Sequence, residues 1–301
     1  MPLQFTKMHG LGNDYVYVSL FDQRVDDPPA LARAVSDRHR GVGADGLILV
    51  APPEVAGAHV CMLMFNADGS RAQMCGNGVR CVAKLAYERG LARANPLLVQ
   101  TDRGVLSLDL TLDASGCVAE VRVDMGEPIL EPRRMPVALP GERAVSVPVP
   151  IPGDPGWGGH LARQFGGSRS APQVLLMTAV SMGNPHAVFF EQDLARVPLA
   201  RWGPRIECHP LFPERINVHF VQVVRPDLVR MITWERGTGI TQACGTGACA
   251  VCVAGVLTAR TARGITAELP GGRLKLAWDD ATNHVFMTGP AEEVFTGQWP
   301  T

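Results

Sequence analysis

Met74-Cys-Gly-Asn-Gly78 and Ala243-Cys-Gly-Thr-Gly247 are the two stretches that decide the fold of this 301-residue chain. Each follows an apolar strand pattern and a turn. Each then runs into a helical pattern, with Val79, Val82, Ala83 and Ala86 after the first and Ala248–Leu257 after the second. Setting residue n against n+169 places Phe65 on Trp234, Asn66 on Glu235, Gln73 on Gln242, Cys75 on Cys244, Gly76 on Gly245 and Gly78 on Gly247. A shift near 171 places Gly12-Asn13 on Gly183-Asn184. This period is much longer than that of any solenoid repeat, so the pattern predicts duplication of a whole domain. The expected fold class is α/β (α+β), with two pseudo-twofold-related domains, a cleft between them, and one cysteine at a helix start in each. The first domain is expected over 1–126 with a returning strand at 289–301, and the second over 127–288.

Outward from these stretches the chain alternates short apolar runs with turns. Strands are expected around Tyr15 and Tyr17, and at Gly46–Val50, His59–Phe65, Leu97–Thr101, Val105–Leu112, Val118–Val123, Val174–Val180, Ile216–Val224 and Val229–Trp234. A helix is expected over Pro29–His39, and Gly90 closes the one that follows Gly78. Eight prolines between Pro128 and Pro155 predict extended chain with few helices. The Gly- and Ser-bearing stretch Gly156–Pro172 reads as a mobile loop or insertion.

Composition excludes several functions. Lys plus Arg number 28 against 29 Asp plus Glu, a net charge of -1, which lacks the basic surface that nucleic-acid binding needs. Hydrophobic residues at 46% with 19% charged describe a globular chain. The best apolar run, Ala248–Ala259, is short and broken by Gly255 and Thr258, so no membrane span is expected. The N-terminus lacks an apolar leader core, and eight cysteines without one predict thiols in a cytoplasmic protein. No complete G-x-G-x-x-G follows a strand, which disfavours a nicotinamide enzyme.

A cysteine at a helix start sits among N–H groups that have no intrahelical partner and carry partial positive charge. Such a position lowers a thiol pKa, and the flanking glycines let a carboxylate approach the backbone. A single site of this kind suits a nucleophile or a redox thiol. Two, one per repeat, suit inversion at a carbon: one thiolate removes a proton and a thiol on the other face supplies one. The remaining cysteines, Cys61, Cys81, Cys117, Cys208, Cys249 and Cys252, are expected as small core residues. Cys249 and Cys252 form a lone C-x-x-C inside an apolar helix without the second pair that structural zinc wants.

In order along the chain stand Gly12-Asn-Asp-Tyr15, Arg38-His-Arg-Gly-Val-Gly-Ala-Asp45, Phe65-Asn-Ala-Asp-Gly-Ser70, Met74-Cys-Gly-Asn-Gly78, Gly183-Asn-Pro-His186, Arg215-Ile-Asn217, Glu235-Arg236 and Ala243-Cys-Gly-Thr-Gly247. Together these segments closely resemble the diaminopimelate epimerase family over nearly the whole chain. The resemblance implies a sheet wrapped around a central helix in each domain. It implies interconversion of LL- and meso-2,6-diaminopimelate, for lysine and peptidoglycan synthesis, without pyridoxal phosphate, metal or other cofactor. By matching position, Cys75 and Cys244 resemble the acid/base pair, and His186 and Glu235 resemble residues that assist it. Gly76, Asn77, Gly245 and Thr246 look like the backbone clamp on the reacting carboxylate. Asn66, Asn184, Asn217 and Arg236 resemble the ligands of the distal carboxylate, Glu235 a contact to a substrate ammonium, and Asn13 a further pocket position. A homodimer through the first domain is implied too, with Phe295 where a contact tyrosine often sits.

Three features depart from the family pattern, one of them the Gly156–Pro172 stretch, which is longer than typical and has no assigned role. Gly46 stands where many members carry Gln, which puts one pocket hydrogen bond in question. Ile240 stands where Glu is frequent in the turn before Cys244. The same residues bear on other functions. A proline or hydroxyproline racemase would need no second carboxylate site such as Arg236 with Asn184 and Asn217 provides. A non-catalytic amino-acid-binding module would bind without exchanging the α-proton, and a zinc-binding scaffold is the weakest alternative.

Overall fold

Both cysteine helices are built by the local pattern that the sequence displays. In the computed structural model, which describes residues 2–72, 74–151 and 173–300, helix α1 spans Pro28–Ser36, α2 Gly76–Glu88, α3 Leu199–Glu207 and α4 Gly245–Leu257. Cys75 and Cys244 are the N-cap residues of α2 and α4, both with extended backbone that turns the chain into the helix. The chain divides into two compact units, Met1–Met125 with Phe286–Thr301, and Gly126–Val285.

In the first unit, strand Asn13–Ser19 pairs antiparallel with Leu3–Gly10 and parallel with Gly46–Ala51. Gly46–Ala51 runs antiparallel to Val60–Asn66, which runs antiparallel to Arg71–Ala72 and parallel to Leu97–Thr101. Gly104–Leu112 and Val118–Asp124 extend this order antiparallel. Two strands from the chain's end complete the unit: Val285–Gly289 pairs with Val118–Asp124, and Glu292–Trp299 with Leu3–Gly10. Leu3–Gly10, Asn13–Ser19, Gly46–Ala51, Val60–Asn66, Leu97–Thr101, Gly104–Leu112 and Val118–Asp124 all pack against α2, whose buried face includes Val79, Val82, Ala83 and Ala86. A second cluster, with Phe5, Val16, Val35, Leu47, Leu49 and Phe65, fills the space beneath α1.

The second unit repeats that grammar. Pro185–Phe190 pairs antiparallel with Gln173–Ser181 and parallel with Asn217–Arg225. Asn217–Arg225 runs antiparallel to Leu228–Glu235, which pairs antiparallel with Gly239–Thr241 and parallel with Gly264–Leu269. Gly272–Trp278 pairs antiparallel with Gly264–Leu269, as Gly104–Leu112 does with Leu97–Thr101 in the first unit. Helix α4 is apolar on every side, and ten of its residues are buried, as expected of a helix enclosed by its own sheet.

Several expectations change. The helix expected over Pro29–His39 ends at Ser36, because Asp37 turns the chain and its side chain accepts from the N–H groups of His39 and Arg40. Helix α3 was not expected, since Pro198, Gly203 and Pro204 mask its pattern; burial of Trp202 and Ile206 stabilises it. Cys117 and Cys208 are exposed, not core residues, because each lies just beyond a turn or helix end. Among its described residues, the Pro-rich region holds one short 3-10 turn, Pro132–Arg134, and the strand Val147–Ile151. The loop expected over Gly156–Pro172 lies outside the described residues.

Candidate active site

In the first unit the Cys75 Sγ accepts from the Gly78 N–H at 3.4 Å and lies 3.2 Å from the Asn13 Oδ1, to which the thiol donates. Asn13 is itself fixed: its Nδ2 donates to Asp45 Oδ2 at 2.8 Å, and the Asp14 N–H donates to the same oxygen at 3.1 Å. Arg38 bridges Asp14 and Asp45 at 2.8 and 2.9 Å, and Lys7 pairs with Asp14 at 2.5 Å. Burial alone would raise the Asp14 pKa, but hydrogen bonds and charges from Arg38 and Lys7 outweigh it and hold the carboxyl below its usual range. The buried Tyr15 phenol is pushed well up, by burial first and the neighbouring Cys75 charge second. Gly76 and Asn77 begin α2 ahead of its first intrahelical bond, Val79 N–H to Cys75 O. Asn66 is held in its own turn, its Nδ2 donating to Ser70 Oγ at 2.9 Å.

In the second unit Cys244 is 4% exposed, and its thiol pKa is raised well above the ordinary value. Burial is the main cause and the Glu235 carboxylate adds to it, against the opposing pull of the Gly247 N–H and the Thr246 hydroxyl. Thr246 Oγ1 lies 3.7 Å from the sulfur. Glu235 Oε1 accepts from the Thr241 hydroxyl at 2.6 Å. Asn217 locks the adjacent backbone, accepting from the Arg236 N–H at 3.0 Å while its Nδ2 donates to the Pro185 carbonyl at 2.9 Å. The Arg236 guanidinium donates to the Glu214 carbonyl at 3.1 Å. Asn184 Oδ1 stands 3.0 Å from His186 Nε2, and His186 Nδ1 stands 2.9 Å from His219 Nε2. Both imidazoles are fully buried, and burial holds both neutral, His219 down to about 3. Gly245 and Thr246 begin α4 ahead of the bond from Ala248 N–H to Cys244 O.

The two units therefore share one construction, a cysteine capping a buried helix whose first amides precede the intrahelical ladder. The diaminopimelate epimerase family profile matches residues 5–131 and 178–294. The chain is 48% identical over 300 residues to "Diaminopimelate epimerase" of Pelotomaculum thermopropionicum, covering 99% of each chain. It is 47% identical over 296 residues to the protein of that name from Acetivibrio thermocellus, covering 98% of each. The chain belongs to the diaminopimelate epimerase family.

Solved structures outside the family share the fold. A phenazine biosynthesis protein of the PhzF family from Bacillus anthracis superposes with a TM-score of 0.66 at 14% identity, covering 100% of both chains. A probable proline racemase from Agrobacterium radiobacter, with bound carbonate, gives 0.66 at 14% identity, covering 99% of this chain and 93% of its own.

The departures at Gly46 and Ile240 acquire physical reasons. At Gly46 a Cβ would collide with the Phe65 carbonyl and come within 3.0 Å of the Tyr15 ring, so this backbone has no room for Gln. Ile240 is 56% exposed, and it is the neighbouring Thr241 that reaches Glu235. Sequence reasoning missed Tyr15, His219, Thr241 and Glu207. Glu207, on α3, accepts from the Trp234 indole at 2.7 Å and the Gly237 N–H at 2.9 Å, and so anchors the turn carrying Glu235 and Arg236. A signal existed for His219: it is a polar residue at a core position of a strand that is otherwise apolar there.

Proposed function

We propose that this chain converts LL-2,6-diaminopimelate to meso-2,6-diaminopimelate by two-cysteine acid/base chemistry, supplying lysine and peptidoglycan precursors. The observation that carries the proposal is the pair of capping cysteines, one on the central helix of each unit, in a chain 48% identical to a named epimerase over 99% of its length. One cysteine removes the α-proton as a thiolate, and the other, as a thiol, delivers a proton to the opposite face. Cys244 rests as a thiol because burial and Glu235 raise its pKa, which suits it to the first donor role. Cys75, half-buried and oriented by Asn13, acts as the first base once its thiol has given up the proton it shares with Asn13. The starting amides of α2 and α4, at Gly76, Asn77, Gly245 and Thr246, clamp the reacting carboxylate and stabilise charge that develops on it. Arg236 with Asn66, Asn184 and Asn217 takes the distal carboxylate, Glu235 takes an ammonium, and His186 assists the cysteines. A residue set rich in charges and amides suits a substrate with two amino acid ends.

The test is proton NMR of reduced protein with LL-diaminopimelate in deuterated water. Loss of the α-proton signal with appearance of the meso isomer is the expected result. Binding without exchange would leave only an amino-acid-binding module, and exchange of proline instead would redirect the substrate class. We infer also a cytoplasmic homodimer. Among the described residues no helix is long and apolar enough to cross a membrane. Val294 and Phe295 on the terminal strand are 54% and 45% exposed, which supports a covered face there. Light scattering at working concentration should give twice the chain mass, and a monomer would refute the dimer.

A further inference from the structure

We propose that His186, His219 and Cys244 form a binding site for a soft divalent metal, zinc foremost, that inactivates the protein when occupied. Its effect on turnover rests on the epimerase reading above, whereas the site itself does not.

One ring nitrogen of each histidine and the Cys244 sulfur lie within 4.8 Å of one another, and all three residues are buried. Zinc bonds to imidazole at about 2.0–2.1 Å and to thiolate at about 2.3 Å, which sets tetrahedral ligand atoms about 3.3–3.6 Å apart. The facing nitrogens, 2.9 Å apart, need to open only slightly. The outer nitrogens carry the stronger indication. His186 Nε2 is held by Asn184 Oδ1 at 3.0 Å, and His219 Nδ1 by Thr233 Oγ1 at 3.0 Å. Anchoring of the far nitrogen by an oxygen is how metal-bound histidines are oriented. Gly247 completes the arrangement, because any Cβ there would land on the His219 ring and push it away from the start of α4. The Glu235 carboxylate, close enough to act on the thiol, adds a second negative charge to the thiolate and balances a divalent ion. Cys249 and Cys252 belong to no such three-donor group among the described residues.

With Asn184 Oδ1 accepting, His186 carries its proton on Nε2 and offers Nδ1 as a lone pair. His219 then carries the shared inner proton on Nε2. Metal binding shifts that proton to Nδ1, where the Thr233 oxygen accepts it, and the Cys244 thiol releases its proton to solvent. Two metal–nitrogen bonds, one metal–sulfur bond and a bond to one solvent water as fourth ligand form, and nothing is oxidised or reduced. Since Cys244 is then unable to carry a proton, occupancy stops epimerisation.

The experiment titrates reduced, chelator-treated protein with cobalt(II) without oxygen, then displaces cobalt with zinc. The expected spectrum has a thiolate-to-cobalt charge-transfer band and the intense visible bands of four-coordinate cobalt. Cys244→Ser should abolish the charge-transfer band, and His219→Gln should weaken zinc at least about tenfold. Calorimetry in two buffers should find about one proton released per zinc. Circular dichroism checks that both variants fold, and Cys249→Ser with Cys252→Ser should leave the spectrum intact. No band, a band surviving in Cys244→Ser, or one lost with Cys249 and Cys252 would overturn the site; so would unchanged zinc affinity in His219→Gln. Zinc should also suppress epimerisation reversibly, and full turnover by metal-loaded protein would overturn the inactivation. A cobalt spectrum on a protein with no epimerase activity even when metal-free would instead refute the epimerase reading and leave the site standing.

Discussion

Cys75 and Cys244 cap equivalent helices in the same sequence context, yet their surroundings differ in kind. Cys75 is half-buried and tied through Asn13 to a charged array of Asp45, Arg38, Asp14 and Lys7. Cys244 is buried beside a carboxylate and a pair of neutral imidazoles. Duplication preserved the backbone device, a capping sulfur over helix amides, while each copy acquired its own electrostatics. An exchange of acid and base roles needs both halves to work, but it does not need the two thiols to have the same surroundings.

The widest test of that comparison removes either sulfur. Cys75→Ala and Cys244→Ala should each lower epimerisation by about 10²–10⁴-fold or more, measured by α-proton exchange with product stereochemistry. Near-wild-type turnover in either variant would break the two-base scheme. A smaller effect separates the resting states. Mass spectrometry of reduced protein under limiting iodoacetamide should find Cys75 alkylated at least about tenfold faster than Cys244, since the thiolate is the nucleophile and burial suppresses it. Glu235→Gln should move the pH midpoint of Cys244 alkylation downward, because it removes a charge that raises this thiol. Equal labelling of the two cysteines would erase the asymmetry.

Packing at the two helix starts should differ too. A Cβ at Gly247 meets the His219 ring, whereas one at Gly78 meets the flexible tip of Ile48 at 2.7 Å. Gly247→Ala should therefore cost about 1–3 kcal/mol in denaturant unfolding, and Gly78→Ala less. The reverse order would mean that the histidine ring yields more easily than the first unit's core. The smallest expected effect is in acid. Because Asp14 titrates below its ordinary value of 3.8 when folded, its charge stabilises the protein above that value, and the contribution is lost as pH falls through the folded pKa. Asp14→Asn should thus melt below wild type at neutral pH, with the gap closing in acid. A constant gap across pH would remove the first unit's charged array from the account.

Much of the fold was legible because it rests on local chain properties. Glycine after a capping residue, a four-residue apolar spacing and alternating strands are written in consecutive residues, and they locate α2, α4 and most strands around them. Helix α3 was not legible, since its propensity is poor and only the pocket that buries Trp202 selects it. Cys117 and Cys208 show the converse: residue type predicts burial, but position past a turn leaves them in solvent.

By itself, the sequence determined that the domain is duplicated, that each copy starts a helix on a cysteine, and which family the chain resembles. Tertiary structure alone decided that burial and Glu235 push the Cys244 thiol up, that Asn13 is the partner of Cys75, and that His219 closes on His186. Backbone conformation is set largely by a residue and its near neighbours. Protonation and pairing instead depend on desolvation and on charges brought by strands 30 or more positions away, as with the 33 residues separating His186 from His219.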